Sequence, residues 1–246
     1  MTTIASRLQA VKARISEAAA AAGRARGEIT LVAVSKTFPP EAIVEAYAAG
    51  HAAFGENYAQ EGIEKIAALS RLFHKSQFAS PEGPLLRPLE WHHIGPIQSN
   101  KTRLIAENFD WVHGIDRAKI AERLSASRPE NKPPLQFCIQ VNVSGEASKN
   151  GVAPDAVLGL AQTIVQLPRL RLRGLMAIPE PTSDTALQRS RFGILREIRE
   201  DLLRRGVAID TLSMGMSDDL EAAIAEGATL VRIGRAIFGE RGGGNA

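Results

Sequence analysis

Leu31-Val32-Ala33-Val34-Ser35-Lys36 is an apolar run closed by a lysine, and it reads as a strand buried on both faces with a cation at its C-terminal end. Similar runs recur at 30–35, 52–54, 90–94, 111–113, 135–143, 172–178, 211–214 and 230–233. Helical patterns lie between them at 41–49, 58–69, 99–107, 118–125, 154–166, 185–204 and 218–225, with Gly50, Gly206 and Gly227 as stop signals. Strands alternating with helices over 246 residues predict a parallel (β/α)8 barrel, a TIM barrel of one domain spanning 1–246, rather than a doubly wound sheet. An extra N-terminal helix over 1–23 precedes the first strand, with Ile4, Leu8, Val11 and Ile15 on one face and Gly23 at its end. Residues 70–88, crowded by Ser80, Pro81, Gly83, Pro84 and Pro88, are expected to form a surface loop, and 242–246 a flexible tail.

Composition excludes several classes. The 30 basic and 27 acidic residues are spread along the chain, so the net charge of +3 forms no basic block, and aromatics at 5% are too few for base stacking; no nucleic-acid partner is expected. No segment offers ~18 uninterrupted apolar residues, and the N-terminus lacks the pattern of a secretory leader. The expectation is a cytoplasmic monomer with no membrane partner. Cys138, among Phe137, Ile139 and Val141, reads as a small buried hydrophobe, and a single cysteine forms no intramolecular disulfide.

In such a barrel the strand C-termini and the loops after them form the active face. Lys36 ends the first strand, Gly55-Glu56-Asn57 follows the second, and His92, His93 and Gly95 end the third. Gly114 and Asp116 follow the fourth, Asn142 ends the fifth, and Met176 and Pro179 close the sixth. Burial disfavours an ammonium and leaves a neutral amine able to attack a carbonyl, so Lys36 is a candidate Schiff-base former. The turns after the last two strands, Ser213-Met214-Gly215-Met216-Ser217-Asp218-Asp219 and Arg232-Ile233-Gly234-Arg235, read as anion-binding, with Ser217 at a helix start and glycine admitting backbone amides to a phosphate. Taken singly, each has an ordinary structural reading: a surface lysine, a hydrogen-bonded histidine, a serine cap. Together they describe a ligand with an aldehyde at one end and a phosphate at the other. Pyridoxal 5′-phosphate (PLP) fits, and so does a sugar phosphate bound by an aldolase amine; Arg232, able to point at a ring nitrogen, favours the former.

Val34-Ser35-Lys36-Thr37, Phe54-Gly55-Glu56-Asn57-Tyr58, Trp91-His92-His93-Ile94-Gly95-Pro96-Ile97-Gln98-Ser99-Asn100-Lys101, Gly174-Leu175-Met176-Ala177-Ile178-Pro179 and Leu212-Ser213-Met214-Gly215-Met216-Ser217-Asp218-Asp219 occur in that order. The chain thereby resembles the pyridoxal phosphate homeostasis protein family, single-domain relatives of the barrel domain of alanine racemase. The resemblance implies PLP as cofactor on Lys36, Asn57 and Met176 lining its ring, and Ser213, Ser217, Gly234 and Arg235 around its phosphate. Arg232 would then face the pyridine nitrogen, and a guanidinium there keeps that nitrogen unprotonated and the ring a poor electron sink. Position 235 is often a small hydroxyl residue in the family, so for Arg235 the backbone amide is the expected contact.

The implied role is vitamin B6 and amino-acid homeostasis, holding PLP and passing it to PLP-dependent apoenzymes without substrate turnover and with no catalytic residue. The alternative is a PLP-dependent amino-acid racemase or lyase. The 246 residues leave no room for alanine racemase's second β domain, and only Tyr47 and Tyr58 exist as tyrosine bases, although His92 or His93 remains a candidate general base.

Overall fold

The computed structural model describes residues 3–75, 88–145 and 150–240. Thr3 caps the first helix, its Oγ1 accepting the Ser6 amide at 3.1 Å, and α1 (Ile4–Ala21) buries Ile4, Leu8, Val11 and Ile15 as their spacing requires. There follow β1 (Thr30–Val34), α2 (Pro40–Ala48), β2 (Ala53–Glu56), α3 (Ala59–Lys75), β3 (Glu90–His93), α4 (Thr102–Asn108), β4 (Trp111–Ile115) and α5 (Ala118–Ser127). The second half continues with β5 (Leu135–Gln140), α6 (Val157–Ile164), β6 (Leu170–Met176), α7 (Thr185–Arg204), β7 (Thr211–Ser213), α8 (Leu220–Ala225), β8 (Leu230–Ile233) and the short α9 (Arg235–Phe238). The strands pair in parallel and in chain order, and β8 returns to β1, closing the barrel that the alternation predicted.

One boundary departs from expectation. Residues 70–75 belong to α3 rather than to a loop, because nothing before Ser80-Pro81 breaks a helix whose buried stripe continues to Leu69. Residues 76–87 and the tail expected at 242–246 lie outside the described residues. Among the described residues, no helix is long and apolar enough to cross a membrane.

Strand parity divides the side chains into two environments. Leu31, Ala33, Val112, Phe137, Ile139, Leu212, Val231 and Ile233 point outward into the main core beneath the helices. Each fully buried side chain of this size contributes roughly 1.5–3 kcal/mol. The alternate residues point inward, where Trp111, Cys138 and Met176 form a small separate cluster. His92, His113, Ser213 and Arg232 are fully or nearly fully buried as well, so the barrel interior is unusually polar. Burial pushes the Cys138 thiol up to about 12, leaving it an inert packing group.

Two histidines belong to the outer core. His51, ahead of β2, makes an edge contact with Phe54, and His93 packs edge-on against Phe109 at 5.4 Å. Burial lowers each from 6.5 to about 4. Both are therefore neutral when folded and take a proton on unfolding between pH 4 and 6.5, so stability is present above that window and lost as pH falls through it. The expected slope is about 1.4 kcal/mol per pH unit for each histidine. Urea unfolding at stepped pH measures it, and His93→Phe should flatten the curve by one histidine's share.

Candidate functional site

Lys36 stands in the turn just past the end of β1, two residues beyond the inward-facing Val34, while the intervening Ser35 faces outward to Glu56. A buried polar cluster holds this turn. The Ser35 hydroxyl donates to Glu56 Oε1 at 2.6 Å, and Lys65 Nζ reaches in from α3 to donate to the Ser35 carbonyl at 2.7 Å, to Glu56 Oε1 at 2.8 Å and to Glu61 Oε1 at 2.7 Å. Glu61 also accepts the amide of Thr37, which takes a left-handed φ of 68°. Burial raises the Glu56 carboxyl above its ordinary value, and the Lys65 ammonium and Ser35 hydroxyl oppose that shift. This clamp fixes the backbone on both sides of Lys36. A signal for it exists in the sequence: Lys65 interrupts the buried stripe Ala59, Gly62, Leu69 of α3, four residues after Glu61.

On the neighbouring strand β8, Arg232 lies in register with Val32 and rises inside the barrel. Nη1 donates to Ser213 Oγ at 2.6 Å and Nη2 to the Ala177 carbonyl at 2.9 Å. Burial brings the guanidinium down to about 10, opposed by the nearby Asp219 carboxylate, so it is charged at neutral pH. Ser213 also bonds His113 Nδ1 at 2.8 Å, and Met176 pairs with Ser213 across β6 and β7 with its side chain in the inner cluster.

The loops after β7 and β8 converge beside these residues. Gly215 carries φ 97°, and a Cβ there would stand 2.7 Å from that of Ala223, so only glycine threads this turn; its carbonyl accepts the Arg232 amide. Ser217 is not at a helix start, in contrast to expectation. Asp219 accepts the Met216 amide at 2.6 Å and closes a turn, and α8 begins only at Leu220. Gly234 packs on β1, where a Cβ would meet the Val34 carbonyl at 3.1 Å; this brings the loop after β8 against the strand that carries Lys36. Arg235 opens α9 with an exposed side chain, leaving its first-turn amides without intrahelical acceptors. Asn57 is half-buried between β2 and α3. Asn142 serves its own loop, its Oδ1 accepting the amides of Ser144 and Gly145.

Sequence reasoning missed what supports these loops from below. Arg14 of α1 donates to the Ser217 carbonyl at 2.8 Å and makes a two-pronged pair with Glu221, while Arg7 donates to the carbonyls of Ile237 and Phe238. The extra helix is thus a brace for both candidate phosphate loops. His93 turns out of the barrel and His92 is engaged within it, bonded to Glu90 and His113.

A lysine just past the end of β1, a buried arginine on β8 and paired turns after β7 and β8 fit a barrel of the alanine racemase N-terminal class, and the model of that family, "Alanine racemase, N-terminal domain", matches residues 6–242. Solved alanine racemases share the fold: that of Clostridium difficile 630 in complex with cycloserine gives a TM-score of 0.66 at 13% identity, over 85% of this chain and 54% of that one. Within the class, the chain belongs to the pyridoxal phosphate homeostasis protein family. It is 58% identical over 241 residues to the protein of that name from Pseudomonas aeruginosa, covering 98% of this chain and 97% of that protein, and 51% identical over 244 residues to that of Escherichia coli K12, covering 98% of each. PipY of Synechococcus elongatus, solved with PLP bound, superposes with a TM-score of 0.79 at 34% identity over 96% of this chain and 100% of its own.

Removing one member of the clamp tests its role. Lys65→Met should leave the Glu56 carboxylate buried without its cation and cost about 3–5 kcal/mol in urea unfolding, most of which Glu56→Gln in the same chain should restore. Additive losses in the double variant would mean that the two residues act separately.

Proposed function

We propose that this chain binds PLP and serves vitamin B6 homeostasis, with the cofactor's aldehyde condensed on Lys36 Nζ as a Schiff base with loss of water. The observation that carries the reading is the buried Arg232 guanidinium facing the same end of the barrel as Lys36 and the two glycine turns. Two of its five N–H donors are used by Ser213 and Ala177, so the donor set fits a ring nitrogen that accepts. Ser217 and the Gly234-Arg235 backbone would hold the phosphate, and Asn57 and Met176 would flank the ring. Ser213 would act through Arg232, since both its bonds within the protein run to Arg232 and His113. Bound PLP would supply an electrophilic carbon and an electron-withdrawing ring; a charged guanidinium at the ring nitrogen limits the second.

We read the role as holding the cofactor and releasing it to PLP-dependent apoenzymes rather than turning over an amino acid. Tyr47 on α2 and Tyr58 ahead of α3 stand outside the strands that line the interior, and neither His92 nor His93 is presented at the Lys36 end. Lys36, Ser217, Arg232 and Gly234 all come from one barrel, in keeping with our reading of the single chain as the functional unit.

Purified protein loaded with PLP should show a visible imine absorption band that Lys36→Ala abolishes, and borohydride reduction with peptide mapping should place the pyridoxyl group on Lys36. The same preparation should give no steady racemisation of alanine. Label recovered on Lys101 or Lys149, or multiple turnovers lost in Lys36→Ala, would overturn the assignment or the non-catalytic role respectively. The phosphate end is separable. Ser217→Ala should weaken PLP about tenfold, the worth of one charge-assisted hydrogen bond, and leave unphosphorylated pyridoxal unaffected. Equal losses for the two aldehydes would move the phosphate elsewhere.

A further inference from the structure

A line of hydrogen-bonded side chains crosses the barrel from the mouth opposite Lys36 to the arginine beneath it. Glu90 Oε1 lies 2.8 Å from His92 Nε2, His92 Nδ1 lies 3.0 Å from His113 Nε2, and His113 Nδ1 lies 2.8 Å from Ser213 Oγ, which accepts from Arg232 Nη1 at 2.6 Å. His92, His113 and Ser213 are fully buried. Glu90 is not: its side chain is 43% exposed in a recess of about 470 Å³ at the N-terminal ends of the strands, lined also by Thr30, Trp111, Arg173 and Leu230. The Trp111 ring stacks on His92 at 5.5 Å and fixes its plane. The line therefore runs from solvent at one mouth to the ligand end of the other.

The chemistry of its ends restricts it. A guanidinium only donates, an ionised carboxylate only accepts, and a neutral imidazole offers one N–H and one lone pair. The hydrogen bond from His92 holds the Glu90 carboxyl below its ordinary value, and burial keeps His113 well below its own, hence neutral. Two proton arrangements satisfy every bond. In the first, both histidines are neutral with the proton on Nε2: Ser213 donates to His113, His113 to His92, and His92 to Glu90. In the second, His92 carries an extra proton and pairs with Glu90, its Nδ1–H donates to His113 Nε2, the His113 proton moves to Nδ1, and Ser213 becomes an acceptor whose hydrogen must point elsewhere. The two differ by one proton, taken from solvent at the mouth.

We propose that Glu90, His92 and His113 are positioning residues for the ligand end of the barrel, setting the direction of the Ser213 hydroxyl beside Arg232 through this two-state relay. The charged and titratable groups whose fields reach the histidine pair are Glu90 on β3, Asp110 ahead of β4, Arg173 on β6, Arg232 on β8 and, from the outer core, His93 and His51. Of these, only Glu90 and Arg232 terminate the line. The consequence for a ring nitrogen above Arg232 rests on the function proposed above; the relay itself does not, and it is tested on ligand-free protein so that the two can fail separately.

The experiment is 15N NMR of the histidine rings across pH 5 to 8.5, in wild type and in Glu90→Gln. His113 should remain neutral throughout, and its tautomer should be Nε2–H whenever His92 is neutral and Nδ1–H whenever His92 is doubly protonated. Glu90→Gln keeps an acceptor and removes the charge, so the protonated arrangement should fall about tenfold or more in population, as expected for loss of an opposite charge in contact. His113 should report that change although Glu90 does not touch it. An imidazolium at His113, a neutral His92 with its proton on Nδ1, or a His113 tautomer that does not follow His92 would each overturn the relay. So would His113 signals in Glu90→Gln identical to wild type. The wild-type titration decides the matter alone if the variant does not fold.

Discussion

The rest of this barrel is arranged around one buried cation. Placing the Arg232 guanidinium inside a closed sheet costs several kcal/mol of hydration unless its donors are met, and the polar interior follows from that need. Ser213 and the Ala177 carbonyl take one N–H each, and Asp219 lies close enough to oppose the loss of solvation. Ser213 in turn requires His113, and His113 requires His92. A barrel filled by layers of Val, Ile and Leu would pack as well. Here the interior is given over to an electrostatic task, and the apolar burial that stabilises the fold sits outside the strands, beneath the helices.

Two polar systems share the strands by parity. Ser35 and Glu56 face outward to meet Lys65, whereas Val32, His92, Ser213 and Arg232 face inward. Lys36 follows Ser35 directly, so its backbone is fixed by the outer cluster through the Ser35 carbonyl and the Thr37 amide. The two systems share no hydrogen-bond partner among these residues, so the backbone beside Lys36 and the arginine are held by different parts of the molecule.

The alternation of apolar runs with helical patterns carried the architecture because each segment's period is a local property, and the closed order of β1 to β8 follows from it. The residues at strand ends were legible for the same reason: in a parallel barrel, chain position alone sends Lys36, Asn57, Met176 and Arg232 to one face. What local pattern could not carry was pairing. Glu56 with Lys65 shows only once α3 is laid on β2, and His113 with Ser213 joins residues on β4 and β7 that meet across the interior. Ser217 was misplaced relative to α8 because Asp219, two residues on, accepts the Met216 amide and closes a turn through Ser217, so the helix begins only at Leu220. The helical 70–75 segment was absorbed into the proline-rich stretch that follows it, since no residue marks the border between them.

The brace formed by α1 has a consequence for the order in which this chain can become competent. Arg7 and Arg14, near the start of the polypeptide, grip carbonyls more than 200 positions later, at Ile237, Phe238 and Ser217. During synthesis this helix would emerge more than 200 residues before the surface that receives it. Closing so large a loop adds entropy cost only logarithmically with length, but it defers these contacts to the last stage of assembly. The loops after β7 and β8 are therefore among the final parts to be steadied, and a nascent or partly unfolded chain would have the turn around Lys36 in place before them.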